Sequence, residues 1–120
     1  TIGDVLITFE NEAELIANIA RYHRKSNPKK KHVNYTRLPA DKQRIVSILA
    51  GILRIAEGLD RRQQQIVSAV QVFKEKELIH IYLQTGSGVG ADIELWGARR
   101  RKDLLELMLG KKIVISVLGE

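Results

Sequence analysis

The first half of the chain repeats its apolar residues at the spacing of α-helices. Asn11 is a good N-cap and Glu14 follows it at capping-box distance, which predicts the start of a helix. Pro28 ends this helix at or before Asn27, because proline disfavours the α conformation in the residue before it. The predicted buried stripe comprises Leu15, Ile16, Ile19, Ala20, Tyr22 and His23.

A second helix follows a predicted loop over residues 29–38. Pro39 near its first position and Asp41 in its first turn are typical of a helix start. The apolar face is broad, so we expect this helix to be buried on more than one side and to end near Gly58. The face comprises Ile45, Leu49, Ile52, Leu53, Ala56 and Leu59, and Val46, Ile48 and Ile55 widen it.

At about Gln65 the apolar period changes from that of a helix to that of a strand. Strands are predicted over 66–73, 78–83, 92–96 and 113–117, with a short helix over 99–109 capped by Gly110. Residues 1–9 are apolar and β-branched, which is typical of an edge strand. The order predicts an α+β fold, with a helical part over residues 1–64 and a small β-β-β-α-β part over residues 65–120.

Composition and charge narrow the class of protein. The 120 residues carry a net charge of +6 and the pI is near 9.8, which favours anionic partners such as nucleic acid, polyphosphate or nucleotides. The lack of cysteine excludes disulfides and thiolate metal sites, and it fits a cytoplasmic protein. No apolar run reaches the ~18 residues of a membrane span, so we expect no membrane partner. Since the chain begins at Thr1, we expect it to be a fragment.

Positive charge is concentrated in residues 21–32, which hold six lysines and arginines and two histidines. No acid occurs between Glu14 and Asp41, so this stretch favours a polyanion. A helix C-terminus accounts for two or three of these cations but not for the lysines beyond Pro28. Because the same helix end repels anions, side chains and not the dipole would hold a phosphate. The alternative is a solvated charged face.

Other patterns carry weaker signals. Gly86, Gly88 and Ala91 match a dinucleotide-binding fingerprint, but the strand predicted at 92–96 replaces the helix that the fingerprint needs, so we interpret them as a connector. The basic cluster 99–102 lies at a predicted helix N-terminus, where cations are unfavourable, and indicates either a functional or a solvated face.

Charged residues also gather near the end of the second helix. Arg54, Glu57, Asp60 and Arg61 predict either an arginine–carboxylate network or a site for an anion or metal. The histidines show no metal-ligand spacing, and no nucleophile, base and orienting partner can be assembled. We therefore expect this chain by itself to be inactive.

Two segments of the chain carry a family resemblance. The first is residues 16–25, ending in Ala-Arg-Tyr-His-Arg-Lys, with Pro28, His32 and Tyr35 after it, and the second is residues 53–61. Together they resemble the C-terminal region of the exopolyphosphatase and guanosine pentaphosphate phosphohydrolase family, over roughly residues 10 to 118. The resemblance implies an all-helical module related to HD-type phosphohydrolases, followed by a small α+β piece.

The resemblance also implies what this region does. The catalytic N-terminal domains of the same chain would use magnesium, and this region would use no cofactor. It would form a homodimer and extend a basic channel for polyphosphate or guanosine pentaphosphate. The predicted phosphate-binding residues are Arg21, His23, Arg24, Lys25, Arg54 and Arg61 from the two segments, and Lys29, Lys30, Lys31 and His32 from the charged stretch.

Two alternatives stay open. A degenerate HD-type metal phosphohydrolase would use Glu57 or Asp60 as a surviving ligand, although Glu57 stands where the family often has Asp, and the family's His-Asp pair would lie before Thr1. A nucleic-acid-binding module fits the pI and the two basic clusters, whereas the few aromatic residues offer little base stacking.

Overall fold

The computed structural model describes residues 13–23, 27–86 and 90–119. The predicted edge strand at residues 1–9 and the predicted cap at Asn11 lie outside them. The elements are α1 Ala13–Tyr22, α2 Val33–Thr36, α3 Ala40–Leu59, β1 Val67–Lys74, β2 Leu78–Thr85, α4 Asp92–Arg99, α5 Asp103–Leu109 and β3 Lys112–Val117.

The three described strands form one mixed sheet in the order β1-β2-β3. β1 and β2 are an antiparallel hairpin, and β3 runs parallel to β2 after a crossover through α4 and α5. Every second residue of β2 and β3 is buried, because one face of these strands packs against the helices. Helices beside a mixed sheet confirm the predicted α+β class.

α3 is the helix around which the others pack, and its buried face differs from the prediction. The buried residues are mostly small, whereas Leu49 and Ile52 are 41% and 46% exposed. Small side chains let neighbouring helices approach closely, so the face of α3 that carries them is buried instead of the face with the bulky apolar residues. The buried residues of α3 are Val46, Ser47, Ala50, Gly51, Arg54, Ile55 and Gly58.

Two apolar clusters meet along α3. Tyr22 and Leu104 pack with the N-terminal half of α3, while Ile55 packs against the sheet. The buried stripe of α1 is narrower than predicted, since Tyr22 is fully buried but Ile16 is 43% exposed. α3 therefore holds α1 on one side and α4, α5 and the sheet on the other.

The structure corrects three element assignments. The predicted loop over 29–38 contains the short helix α2. Residues 92–96, predicted as a strand, form the start of α4. The predicted helix over 99–109 is two helices, because α4 continues to Arg99 and α5 begins at Asp103. The C-cap at Gly110 is confirmed by its left-handed backbone, with φ of 64°.

α3 and α4 cross at a pair of glycines. A Cβ on Gly58 would lie 2.6 Å from the carbonyl carbon of Gly97, so only glycine allows this approach. The contact sets the position of the C-terminal end of α4 relative to α3. None of the described helices has the length and apolar character needed to cross a membrane.

Candidate functional site

A cavity of about 500 Å³ opens where the C-terminal half of α3 faces α4 and the residues before α5. Four of its lining residues are arginines, so it is strongly basic. The lining residues are Asn27, Arg54, Arg61, Trp96, Gly97, Arg100, Arg101 and Asp103.

Arg54 is the buried cation of this cavity, and it is only 7% exposed. Its Nε donates to the carbonyl oxygen of Tyr22 at 2.7 Å, and its Nη1 donates to Oδ1 of Asn27 at 2.9 Å. Burial and then the nearby Arg101 lower the pKa of Arg54, while Asp103 opposes them. An arginine keeps its charge at physiological pH, so Arg54 places a fixed positive charge in the cavity wall.

The basic cluster 99–102 divides into two functions. Arg99 and Lys102 support the sheet, because the Arg99 guanidinium donates to the carbonyl oxygen of Ile115 and Lys102 Nζ donates to that of Ile113. Arg100 and Arg101 face the cavity instead. The cluster joins two helices: Arg99 ends α4, where cations are favourable, and Lys102 is the N-cap of α5, at a helix N-terminus as predicted.

Glu57 lies between Arg101 and His23 beside the cavity. Its Oε2 is 3.2 Å from Nη1 of Arg101 and 3.7 Å from Nε2 of His23. Among the described residues there is no group of three or more His, Asp or Glu side chains that is suited to a metal ion. The arginine that pairs with Glu57 is therefore Arg101, which lies outside the predicted set of Arg54, Glu57, Asp60 and Arg61.

The predicted phosphate-binding residues do not all meet in one place. Arg54 and Arg61 line the cavity. His23 lies next to it through Glu57, and Lys29, Lys30 and Lys31 are exposed on the chain segment that follows Asn27. Arg24 and Lys25 lie outside the described residues.

Arg21 belongs to a different surface. Its guanidinium carbon lies 5.4 Å from the centre of the Tyr22 ring. It lines a smaller cleft of about 170 Å³ together with Glu14 and Arg37, which form an ion pair with each other. A phosphate bound in the basic cavity would therefore be out of direct contact with this side chain.

His32 is tied into the fold by Tyr22. The backbone N–H of Lys29 donates to Nδ1 of His32 at 3.3 Å, and the Tyr22 hydroxyl lies 2.7 Å from the same nitrogen. Burial, followed by the charges of Arg21, Lys31 and Lys29, lowers the pKa of His32. The lowered pKa favours the neutral ring, whose Nδ1 accepts the hydrogen bond from Lys29.

Trp96, Arg100 and Arg101 are lining residues that the sequence did not assign to the site. The basic cluster 99–102 was a signal for the two arginines. Trp96 was missed because its segment was predicted as a strand, whereas α4 turns its side chain toward the cavity.

The glycine pattern at residues 86–91 is followed directly by α4, so the prediction that a strand follows the pattern was wrong. The first turn of α4 nevertheless carries acids, and Glu94 is 1% exposed. The Arg62 guanidinium donates to both carboxylate oxygens of Glu94, at 2.8 and 2.6 Å, and lowers the pKa of that carboxyl group. Carboxylates at this helix end oppose the binding of a pyrophosphate there.

The family model described as Ppx/GppA phosphatase, domain III, matches residues 7–104. The match covers most of the chain and confirms the resemblance carried by residues 16–25 and 53–61. No curated protein matches the chain.

Proposed function

The chain belongs to the Ppx/GppA phosphatase family, and we propose that this C-terminal domain binds polyphosphate electrostatically without cleaving it. The observation that carries the proposal is the basic cavity, where Arg54, Arg61, Arg100 and Arg101 converge. Guanidinium groups bind phosphate oxygens with two parallel hydrogen bonds, so such a cluster suits a repeating phosphate chain.

The lysine-bearing residues 29–31 extend the same positive surface. They follow Asn27, which lines the cavity, and their side chains are exposed. In this arrangement the cavity holds one segment of the polymer and the lysines guide its continuation. The catalytic domains of the parent enzyme, with magnesium, would then hydrolyse the polyphosphate in the cytoplasm.

A salt-dependent titration of labelled long-chain polyphosphate tests this proposal. Arg61→Gln/Arg101→Gln removes two cavity cations, and Lys29/Lys30/Lys31→Ala removes the lysines. Lys74→Gln/Lys76→Gln is the control for the arginine variant, since it removes the same two charges from residues that do not line the cavity. We expect the slope of log K against log salt to fall by about 0.7 for each lost phosphate contact in the first two variants only.

Two results would contradict the proposed polyphosphate binding in the cavity. An equal loss of affinity in the arginine variant and in its lysine control would mean that polyphosphate senses only net charge. If the wild-type chain binds no polyphosphate at moderate salt, then the cavity is not a phosphate site and the domain has another role.

The second part of the proposal is self-association, which the family resemblance implies. An apolar face of α3 that no described element covers supports it, because Leu49, Ile52 and Leu53 are each more than two-fifths exposed. A helix that is apolar on all sides is usually buried on all sides. We propose that a second copy of this chain covers the face.

A further inference from the structure

The two edges of the sheet, β1 and β3, differ in how their backbone groups are covered. At the β3 edge, Lys102 Nζ donates to the carbonyl oxygen of Ile113 at 2.6 Å, and the Arg99 guanidinium donates to that of Ile115 at 2.8 Å. The backbone N–H of Ile113 donates to Oε2 of Glu106 at 2.8 Å. Side chains therefore occupy backbone groups that a further strand would need, and β3 is closed to strand addition.

β1, the opposite edge, lacks such protection. Among the described residues, no hydrogen bond reaches β1 from outside the β1–β2 hairpin. Seven of its eight residues are exposed, and Val70, Val72 and Phe73 are 44%, 61% and 54% exposed. Natural edge strands are usually short, covered, or interrupted by proline or charge, whereas the one charged residue of β1 is Lys74 at its end. β1 is therefore a long open edge with apolar side chains.

An apolar groove runs beside β1. It has a volume of about 340 Å³, and all of its lining residues are apolar. Val70 and Val72 line it from β1, and Ile52 and Leu59 line it from α3. A strand added to β1 would lie about 4.8 Å from it and would point every second side chain toward the groove side of the sheet. The groove therefore offers room for the alternate apolar side chains of an extended peptide.

The charge beside β1 indicates which peptide fits. The turn 74–77 holds two lysines and two glutamates. Lys111 and Lys112 adjoin this turn, because Lys111 Nζ donates to the carbonyl oxygen of Glu75 and the backbone N–H of Lys112 donates to that of Glu77. Lysines are thus in excess at this end, and β1 itself carries no acid. Opposite charges on paired strands stabilise a sheet and like charges destabilise it, so an acidic strand fits this edge better than a second β1.

We propose that β1 is a docking site for an extended acidic peptide of a partner protein, which joins the sheet as a further strand. The backbone of the peptide pairs with the open edge, its alternate apolar side chains enter the groove, and its acids lie near the lysines at the turn. The groove shares no lining residue with the basic cavity, so this site goes beyond polyphosphate binding.

The probe is a fluorescent peptide in which valine and threonine alternate between flanking aspartates. Its length of about ten residues spans the eight residues of β1. Fluorescence anisotropy on the whole chain gives its affinity. Two further peptides carry N-methyl groups on alternate residues, in opposite phases, so that each loses the backbone donors on one side of the strand. We expect one phase to weaken binding about tenfold or more and the other to bind like the parent peptide. A peptide with lysines in place of the aspartates should bind several-fold more weakly.

Three variants locate the binding. Val72→Glu places a carboxylate at the apolar groove and against the acidic peptide, so it should reduce the affinity about tenfold or more. Val114→Glu makes the same change on β3, whose edge is closed, and should leave the affinity unchanged. Leu49 lies on the apolar face of α3 but does not line the groove, so Leu49→Glu should also leave the peptide bound. Circular dichroism verifies that the variants remain folded.

Three results would overturn this docking site: no binding of the aspartate peptide, binding that both N-methylated peptides retain, or binding that Val72→Glu retains. If the wild type binds no peptide and Val72→Glu lowers the mass of a self-associated chain, the edge belongs to a second copy and the peptide inference is wrong. The polyphosphate proposal is judged separately, because its titration probes the basic cavity.

Discussion

Tyr22 and His32 join the end of α1 to the segment that carries the lysines. Because a backbone N–H donates to Nδ1 of His32, that nitrogen is an acceptor and the Tyr22 hydroxyl is a donor. The two rings also stack, with centres 5.5 Å apart. Protonation of His32 would remove the acceptor and add a charge beside Arg21 and two lysines.

This geometry predicts a pH-dependent stability. The pKa of His32 is lowered in the folded protein, so its contribution is complete above its unfolded pKa of about 6.5. The contribution is lost as the pH falls from there through the folded pKa. Urea unfolding at a series of pH values should show stability decreasing below about pH 6.5.

Two variants assign that loss to His32. In His32→Asn the decrease over this pH window should be smaller, whereas His80→Asn should retain it, since His80 lies on β2 away from this contact. An unchanged decrease in His32→Asn would show that other groups cause the pH dependence.

At the scale of elements, the sequence predicted the helix ends and strands that are determined by residues close together along the chain. The β1–β2 hairpin, the start of α3 and the cap at Gly110 depend on neighbouring residues, and the structure has them where expected. The start of α4 shows the opposite case. Its alternation of apolar and polar residues indicates a strand, but Glu94 is buried because Arg62 binds it from 32 residues away.

The residues of the candidate site also divide into those that the sequence predicted and those that depend on distant contacts. Arg54 and Arg61 were predicted from the family resemblance, while their spacing near the end of one helix was compatible with either a charge network or an anion or metal site. Trp96, Arg100 and Arg101 reach the cavity only through the crossing of α3 and α4, which depends on contact between distant glycines. A single sequence does not reveal which glycine contacts which, so the side of the cavity that α4 forms could not be predicted.

The glycine crossing predicts an unusual sensitivity to one methyl group. In Gly58→Ala the new Cβ would lie within 2.7 Å of backbone atoms of both Gly97 and Ala98, and backbone cannot move aside cheaply. We expect the free energy of unfolding to fall by roughly 1–3 kcal/mol, as for other overpacked cores. Urea denaturation measures this change.

Two related variants set the scale. Gly97→Ala should cost less, because its Cβ would approach the Gly58 oxygen only to 3.0 Å. Gly86→Ala meets no atom within 4 Å and should cost nothing. If Gly58→Ala is as stable as Gly86→Ala, the two helices cross differently from the structure.

At the scale of the whole molecule, α3 has an apolar face that no described element covers. The face runs over roughly 16 Å from Ile45 to Ala56. It continues toward β1, where Val70 and Val72 line an apolar groove of about 340 Å³ with Ile52. A contiguous apolar surface of this kind is typical of an interface between proteins.

The proposed self-association through this face can be tested by mass. The chain has a mass of 13.6 kDa, and light scattering after size-exclusion chromatography should give twice that value. Leu49→Glu should restore the monomer, because a carboxylate in the centre of an apolar interface is desolvated without a partner. Glutamate has a helix propensity close to that of leucine, so α3 itself should persist.

Leu107→Glu is the matched control, since Leu107 is 71% exposed on α5 and lies outside the face. A wild-type chain that stays monomeric at high concentration, or a dimer that both variants leave intact, would overturn self-association through this face.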